Sequence, residues 1–86
     1  MEGERIDTAG RVERMGPPFA DKYGTDYALR DEVANEALYA LFTDDERVRG
    51  RLAGLVGTRV QVGGTKLPEE SDDEVTKMNV TGVDPA

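Results

Sequence analysis

The apolar positions of this chain change period several times, and each change marks a predicted element. From Glu4 to Met15, Ile6, Thr8, Gly10 and Val12 fall on one side, while Asp7, Arg11 and Glu13 are among those on the other. Such period-two alternation predicts a half-buried strand, and Gly10 within it predicts a bulge or tight bend. Gly16-Pro17-Pro18 stops the strand, and a loop runs on to Tyr23-Gly24. Thr25 to Asp31 alternates again with Thr25, Tyr27 and Leu29 on one face, a second strand. The short polar stretch from Glu32 to Asn35 predicts a hairpin turn into a third strand, Ala37 to Thr43. That strand is apolar on both faces, and helix competes with it, because Glu32 to Phe42 is rich in helix formers and periodicity alone does not separate the two.

The period then lengthens. Val48, Leu52 and Leu55 stand at i, i+4 and i+7, one stripe of a helix, with Arg47 and Arg51 on another face. Asp44 or Asp45 can cap the first turn, and Asp44, Asp45 and Glu46 set negative charge at the positive end of the helix dipole. Gly54 or Gly57 supplies a residue able to end the helix in the left-handed region. Gly50 inside it costs about 1 kcal/mol relative to alanine, so the helix is expected to depend on packing. Thr58 to Val62 alternates as a fourth strand, and Gly63-Gly64 is expected to open a loop that reaches Glu74 through Pro68. Val75 to Val83 closes the pattern as a last strand, with Met78 and Val80 inward, Val83 completing the core and Gly82 as an irregularity. Asp84-Pro85-Ala86 is a tail, and the whole reads as a single domain over residues 4–84.

Strand, strand, strand, helix, strand, strand is the order of the OB-fold, a five-stranded Greek-key barrel, all-β with one short helix. The chain resembles small bacterial OB-fold domains in Tyr27-Ala28-Leu29-Arg30-Asp31 and Tyr39-Ala40-Leu41. The resemblance continues in Leu55 to Gly64, an L-x-G-x-R-V-x-V-x-G connection, and in Met78-Asn79-Val80-Thr81-Gly82-Val83 at the end. These residues are mainly structural, so the resemblance implies a fold rather than a function. Few aromatics and an acidic balance set the chain apart from the nucleic-acid-binding OB-folds.

Charge and composition narrow the chemistry. The formal net charge of −7 opposes non-specific attraction to nucleic acid or anionic lipid. It is unevenly placed: Arg47, Arg49, Arg51, Arg59 and Lys66 carry +5 with no acid between them, leaving −12 for the rest. Cysteine and histidine are both absent, which removes disulfides, thiol nucleophiles, the usual general base and the commonest nitrogen ligand for metals. No Ser-His-Asp set, phosphate loop, dinucleotide fingerprint or zinc spacing occurs, so an enzyme is not expected, nor is a cofactor or a metal. Asp26 and Asp31 could in principle act as a carboxylate pair, but no feature of the sequence marks a cleft around them. With no window of ~20 apolar residues and an acidic start, Met1-Glu2-Gly3-Glu4, the expectation is a cytoplasmic protein without membrane contact.

Three groups remain as candidate sites. Glu69, Glu70, Asp72, Asp73 and Glu74 offer oxygen ligands to a hard cation but lack the alternate-residue spacing of an EF-hand, so a mobile solvated loop is the competing reading. Tyr23, Tyr27, Tyr39, Phe19 and Phe42 include possible stacking platforms, since OB-folds take ligands across strands two and three. Alternation places Tyr27 and Tyr39 at the core or its edge, whereas Phe19 and Tyr23, in the first loop, either make exposed contacts or pin the loop. Arg47, Arg49 and Arg51, with Arg59 near, either meet phosphates or pair with neighbouring acids. The ligand-binding set is therefore Phe19, Tyr23, Tyr27, Arg47 and Arg51. The expected function is a non-enzymatic binding module for a protein partner or an accessory domain, with single-stranded nucleic acid or oligosaccharide as the alternative ligand.

Overall fold

The computed structural model describes residues 3–34, 36–69 and 74–86. Its elements are β1 (Arg5–Arg14), α1 (Phe19–Tyr23), β2 (Tyr27–Asp31), β3 (Glu36–Phe42), α2 (Glu46–Gly54), β4 (Arg59–Lys66) and β5 (Thr76–Pro85). The strands close in the order β1-β2-β3-β5-β4, a five-stranded OB-fold barrel with α2 between β3 and β4. The segment open to two readings, 32–42, is strand from Glu36.

Closure requires β1 to serve two neighbours. Arg5 to Arg11 pair antiparallel with β4, and Arg11 to Arg14 with β2. Gly10 sits at this handover, where a Cβ would come within 2.6 Å of the Arg30 carbonyl oxygen and 3.0 Å of the Leu29 side chain. The predicted bend is thus a close approach of strands that a side chain would block. On the far side β3 and β5 run parallel from Tyr39–Thr76 to Phe42–Asn79, which closes the cylinder.

The core follows the alternation read from the sequence. Val12, Leu29, Leu41, Val60, Val62, Met78 and Val80 fill the barrel, and each is 0–1% exposed. Val48 and Leu52 of α2 join the same cluster and plug its end. Asp45 caps α2, its carboxylate accepting from the Arg47 N–H at 2.8 Å, with Glu46 in the first turn. The helix ends at Gly54 with Leu55 as its C-cap at φ −109, so neither glycine ends it in the left-handed region; Gly57 takes a φ of 85 in the connection that follows. Leu55 is half-buried rather than fully enclosed, because it lies beyond the last helical turn and only packs against the core's edge.

Two further boundaries differ from expectation. Gly63-Gly64 does not open a loop; β4 runs through both to Lys66. The pairing of β4 with β5 shifts register between Gly63 and Gly64, leaving Thr81 as the extra residue on β5 beside Gly82. At Gly64 the Asn79 carbonyl of β5 occupies the space a Cβ would need. The glycine pair marks a crowded bend in a strand. The first loop also contains structure, the single turn α1, which ends at Gly24 with a left-handed φ of 77.

A candidate interaction face

OB-folds take ligands on the outside of β2 and β3, between the β1–β2 and β4–β5 loops. Alternation assigns the side chains here: Leu29, Leu41, Tyr27 and Tyr39 pack on the core, so Ala28, Ala40 and Phe42 face outward. Register aligns Glu13, Ala28, Ala40 and Lys77 in one row across β1, β2, β3 and β5. The two alanines form the floor of this face. They are 1% and 0% exposed although neither belongs to the core cluster.

The β1–β2 loop explains how aromatic residues behave at this face. Thr25 donates its hydroxyl to the Leu41 carbonyl at 2.7 Å, fixing the loop's end on β3. Tyr23 is buried, its ring 4.7 Å from that of Phe19 with the Lys22 ammonium 5.3 Å from its centroid. Its hydroxyl accepts from the backbone N–H of Glu74, at the foot of the β4–β5 loop, at 3.0 Å. The two loops that flank the face are joined by this bond. Of the five nominated residues, Tyr23 is therefore not an exposed contact but a pin, and Phe19 is half-buried against it. Tyr27 packs partly buried against the core's edge, and it lines a cleft at the end of the β1–β2 loop.

Arg47 and Arg51 stand elsewhere. Arg51 donates to the Val83 carbonyl and the Asp84 carboxylate, both at 2.9 Å, at the far end of β5 from the Tyr23 bond. Arg47 is exposed and has no acidic partner among the described residues, and Arg49 donates to the Thr43 carbonyl at 2.9 Å. The five nominated residues thus do not converge on one place.

Register also builds a feature that no local motif announces. Arg11 stands opposite Arg30 on β2 and opposite Arg59 on β4, a row of three guanidinium groups on adjacent strands. Like charges directly opposite repel. Glu32 relieves them by reaching Arg11 at 3.3 Å and Arg59 at 3.4 Å, while Glu13 meets Arg30 at 2.9 Å. Elsewhere Arg14 faces Asp26, Arg5 faces Asp7 and Lys66 faces Glu69. The arginine row follows from strand register alone, and α1 leaves a single local trace, Phe19 and Tyr23 at i and i+4 between Pro18 and Gly24.

Among the described residues, clefts lie at two places. One, of about 510 Å³, lies between the end of the β1–β2 loop, the end of β3 and α2, with Asp26, Asp44 and Arg49 at its rim. The other, of about 330 Å³, lies between Gly3-Glu4 and Lys66 to Glu69. Of the acidic loop, Glu70, Asp72 and Asp73 lie outside the described residues, whereas Glu69 accepts from the Thr76 hydroxyl and pairs with Lys66. Among the described residues no three carboxylates gather where a metal ion would need them. No described helix is long and apolar enough to cross a membrane. Asp26, one of the two carboxylates considered for acid–base work, faces Arg14, and Asp31 accepts from the Val33 N–H in the hairpin turn. No protein-family model, curated protein or solved structure matches this chain.

Proposed function

We propose that this barrel is a non-enzymatic interaction module whose ligand is a protein, acting as a partner-binding or accessory domain. The observation that carries this reading is the use of Tyr23 within the fold: one of the aromatics nominated to stack on a base is buried and bonded to Glu74. Charge supports the same choice. The arginines of β1, β2 and β4 meet carboxylates of the chain's own, and in the positive segment Arg51, Arg59 and Lys66 do so as well. A phosphate backbone would have to displace those partners against a net charge of −7.

Phe42, outward on β3 beside the alanine floor, provides the test. A photo-reactive benzoylphenylalanine at Phe42 is expected to yield one discrete protein adduct in cells of the native host, absent when the same group replaces Val56 in the α2–β4 connection. The adducted protein, once purified, is expected to bind the wild-type chain in solution. Adducts with nucleic acid, or none at either position, would contradict the reading.

A further inference from the structure

The cleft of about 510 Å³ where the β1–β2 loop meets α2 has the size of a small ligand site, about 300–1,000 Å³. Its wall has two kinds of surface. Half-buried Tyr27 and Phe42, from adjacent strands, give aromatic surface, and Leu41 and Leu52 give aliphatic surface. Asp26 from the loop and Asp44 from the segment before α2 then bring two carboxylates to the same cleft. Neither is firmly neutralised. The Asp44 side chain makes no ion pair or hydrogen bond among the described residues, although Arg49 lines the cleft with it. Arg49 donates instead to the Thr43 carbonyl at 2.9 Å. Asp26 has one long contact, 3.7 Å to Arg14, between side chains that are both about half exposed or more, and a pair of that kind holds its carboxylate weakly.

We infer that this cleft takes a basic side chain, arginine or lysine, presented by a protein partner. Such a side chain carries the same two surfaces as the wall: a stem of methylenes for the leucines and rings, and a cationic head for the carboxylates and the aromatic π-system. An anion fits badly, because it would meet two carboxylates while the guanidinium of Arg49 is already engaged by a backbone carbonyl. The net charge of −7 acts in the same direction at longer range and draws a basic surface towards the chain. The inference rests on the protein-partner reading, and Phe42 connects the two. It lies outward on β3 beside the alanine floor and also lines the cleft.

The cleft is tested without any partner, by titrating Nα-acetylarginine amide and Nα-acetyllysine amide into the full chain and following its ¹H–¹⁵N spectrum. The amides of Thr25, Asp26, Thr43 and Asp44 should shift and saturate. Nα-acetylcitrulline amide, of nearly the same shape as the arginine compound but uncharged, should bind about 10-fold more weakly, the factor expected when a hydrogen bond loses its charge. Asp44→Asn should weaken the basic compounds by about the same factor, and Asp26→Asn should act in the same direction. Glu46→Gln removes an equal charge from the first turn of α2, outside the cleft, and should leave their binding unchanged. Saturable binding by only one of the two basic compounds would support the cleft and name the head it takes. No saturable shift at these amides, equal binding of the citrulline compound, an equal loss in Glu46→Gln, or shifts centred on Lys66 to Glu69 would overturn the assignment. Failure of Asp44→Asn to fold would give that carboxylate a structural role and overturn it too. A protein adduct at Phe42 without binding of either basic compound would keep the protein-partner reading and reject the cleft, so the two fail separately.

Discussion

The Tyr23 hydroxyl accepts the Glu74 amide proton across 51 positions of sequence, and this one bond ties the β1–β2 loop to the β4–β5 loop. Neither residue lies in the barrel's core cluster. The bond should therefore matter locally and modestly. Tyr23→Phe is expected to lower stability by about 0.5–1.5 kcal/mol in a urea melt with an unchanged slope. A loss near 4 kcal/mol would mean that the hydroxyl supports the barrel itself.

The two glycines at the β4–β5 bend separate crowding from mere flexibility. At Gly64 a Cβ would collide with the Asn79 backbone, whereas at Gly82 it would meet open space, and neither residue has a positive φ. Gly64→Ala should cost at least about 2 kcal/mol, because backbone has to move. Gly82→Ala should stay within about 0.5 kcal/mol, the range of an ordinary surface site. Equal effects in thermal or chemical denaturation would refute the bend.

Helix α2 offers a stabilising change. Gly50 is exposed, and a Cβ there meets nothing within 4 Å. Gly50→Ala should raise stability by about 1 kcal/mol through reduced backbone freedom in the unfolded chain, measured as a higher urea midpoint. A decrease would show that the helix packs differently.

Leu52 and Leu55 stand on the same predicted stripe but differ in burial. Leu52 is 0% exposed, while Leu55 sits at the C-cap and is half-buried. Leu52→Ala should cost about 2–5 kcal/mol and Leu55→Ala less than about 2 kcal/mol, because only the first leaves a closed cavity. The reverse order in denaturant melts would contradict the packing of α2.

These contrasts show which parts of the structure could be read from the chain. Alternation around Val12, Leu29, Val60 and Met78 was legible because each strand buries one face on a single core. The third strand was ambiguous because Ala40 is buried on the outer side as thoroughly as Leu41 is on the inner one. Gly63-Gly64 resembled a loop because glycine marks both turns and crowded bends, and only the position of Asn79 separates them. Helix α1, at five residues, is too short for its period to stand out. The candidate site was the least legible part. Arg11, Arg30 and Arg59 meet through strand register, and Tyr23 is buried through a contact with a residue on another loop. Both depend on pairing that no local window contains.

If the outer face of this barrel meets a protein, as proposed, single-stranded nucleic acid should not bind it. Fluorescence anisotropy with mixed-sequence single-stranded DNA and RNA tests it most directly, at physiological salt, with wild type beside Arg11→Ala and Phe19→Ala. No binding tighter than roughly 10⁻⁴ M is expected for any of the three, the weak end of non-specific affinity. Submicromolar binding by wild type that either substitution abolishes would contradict it.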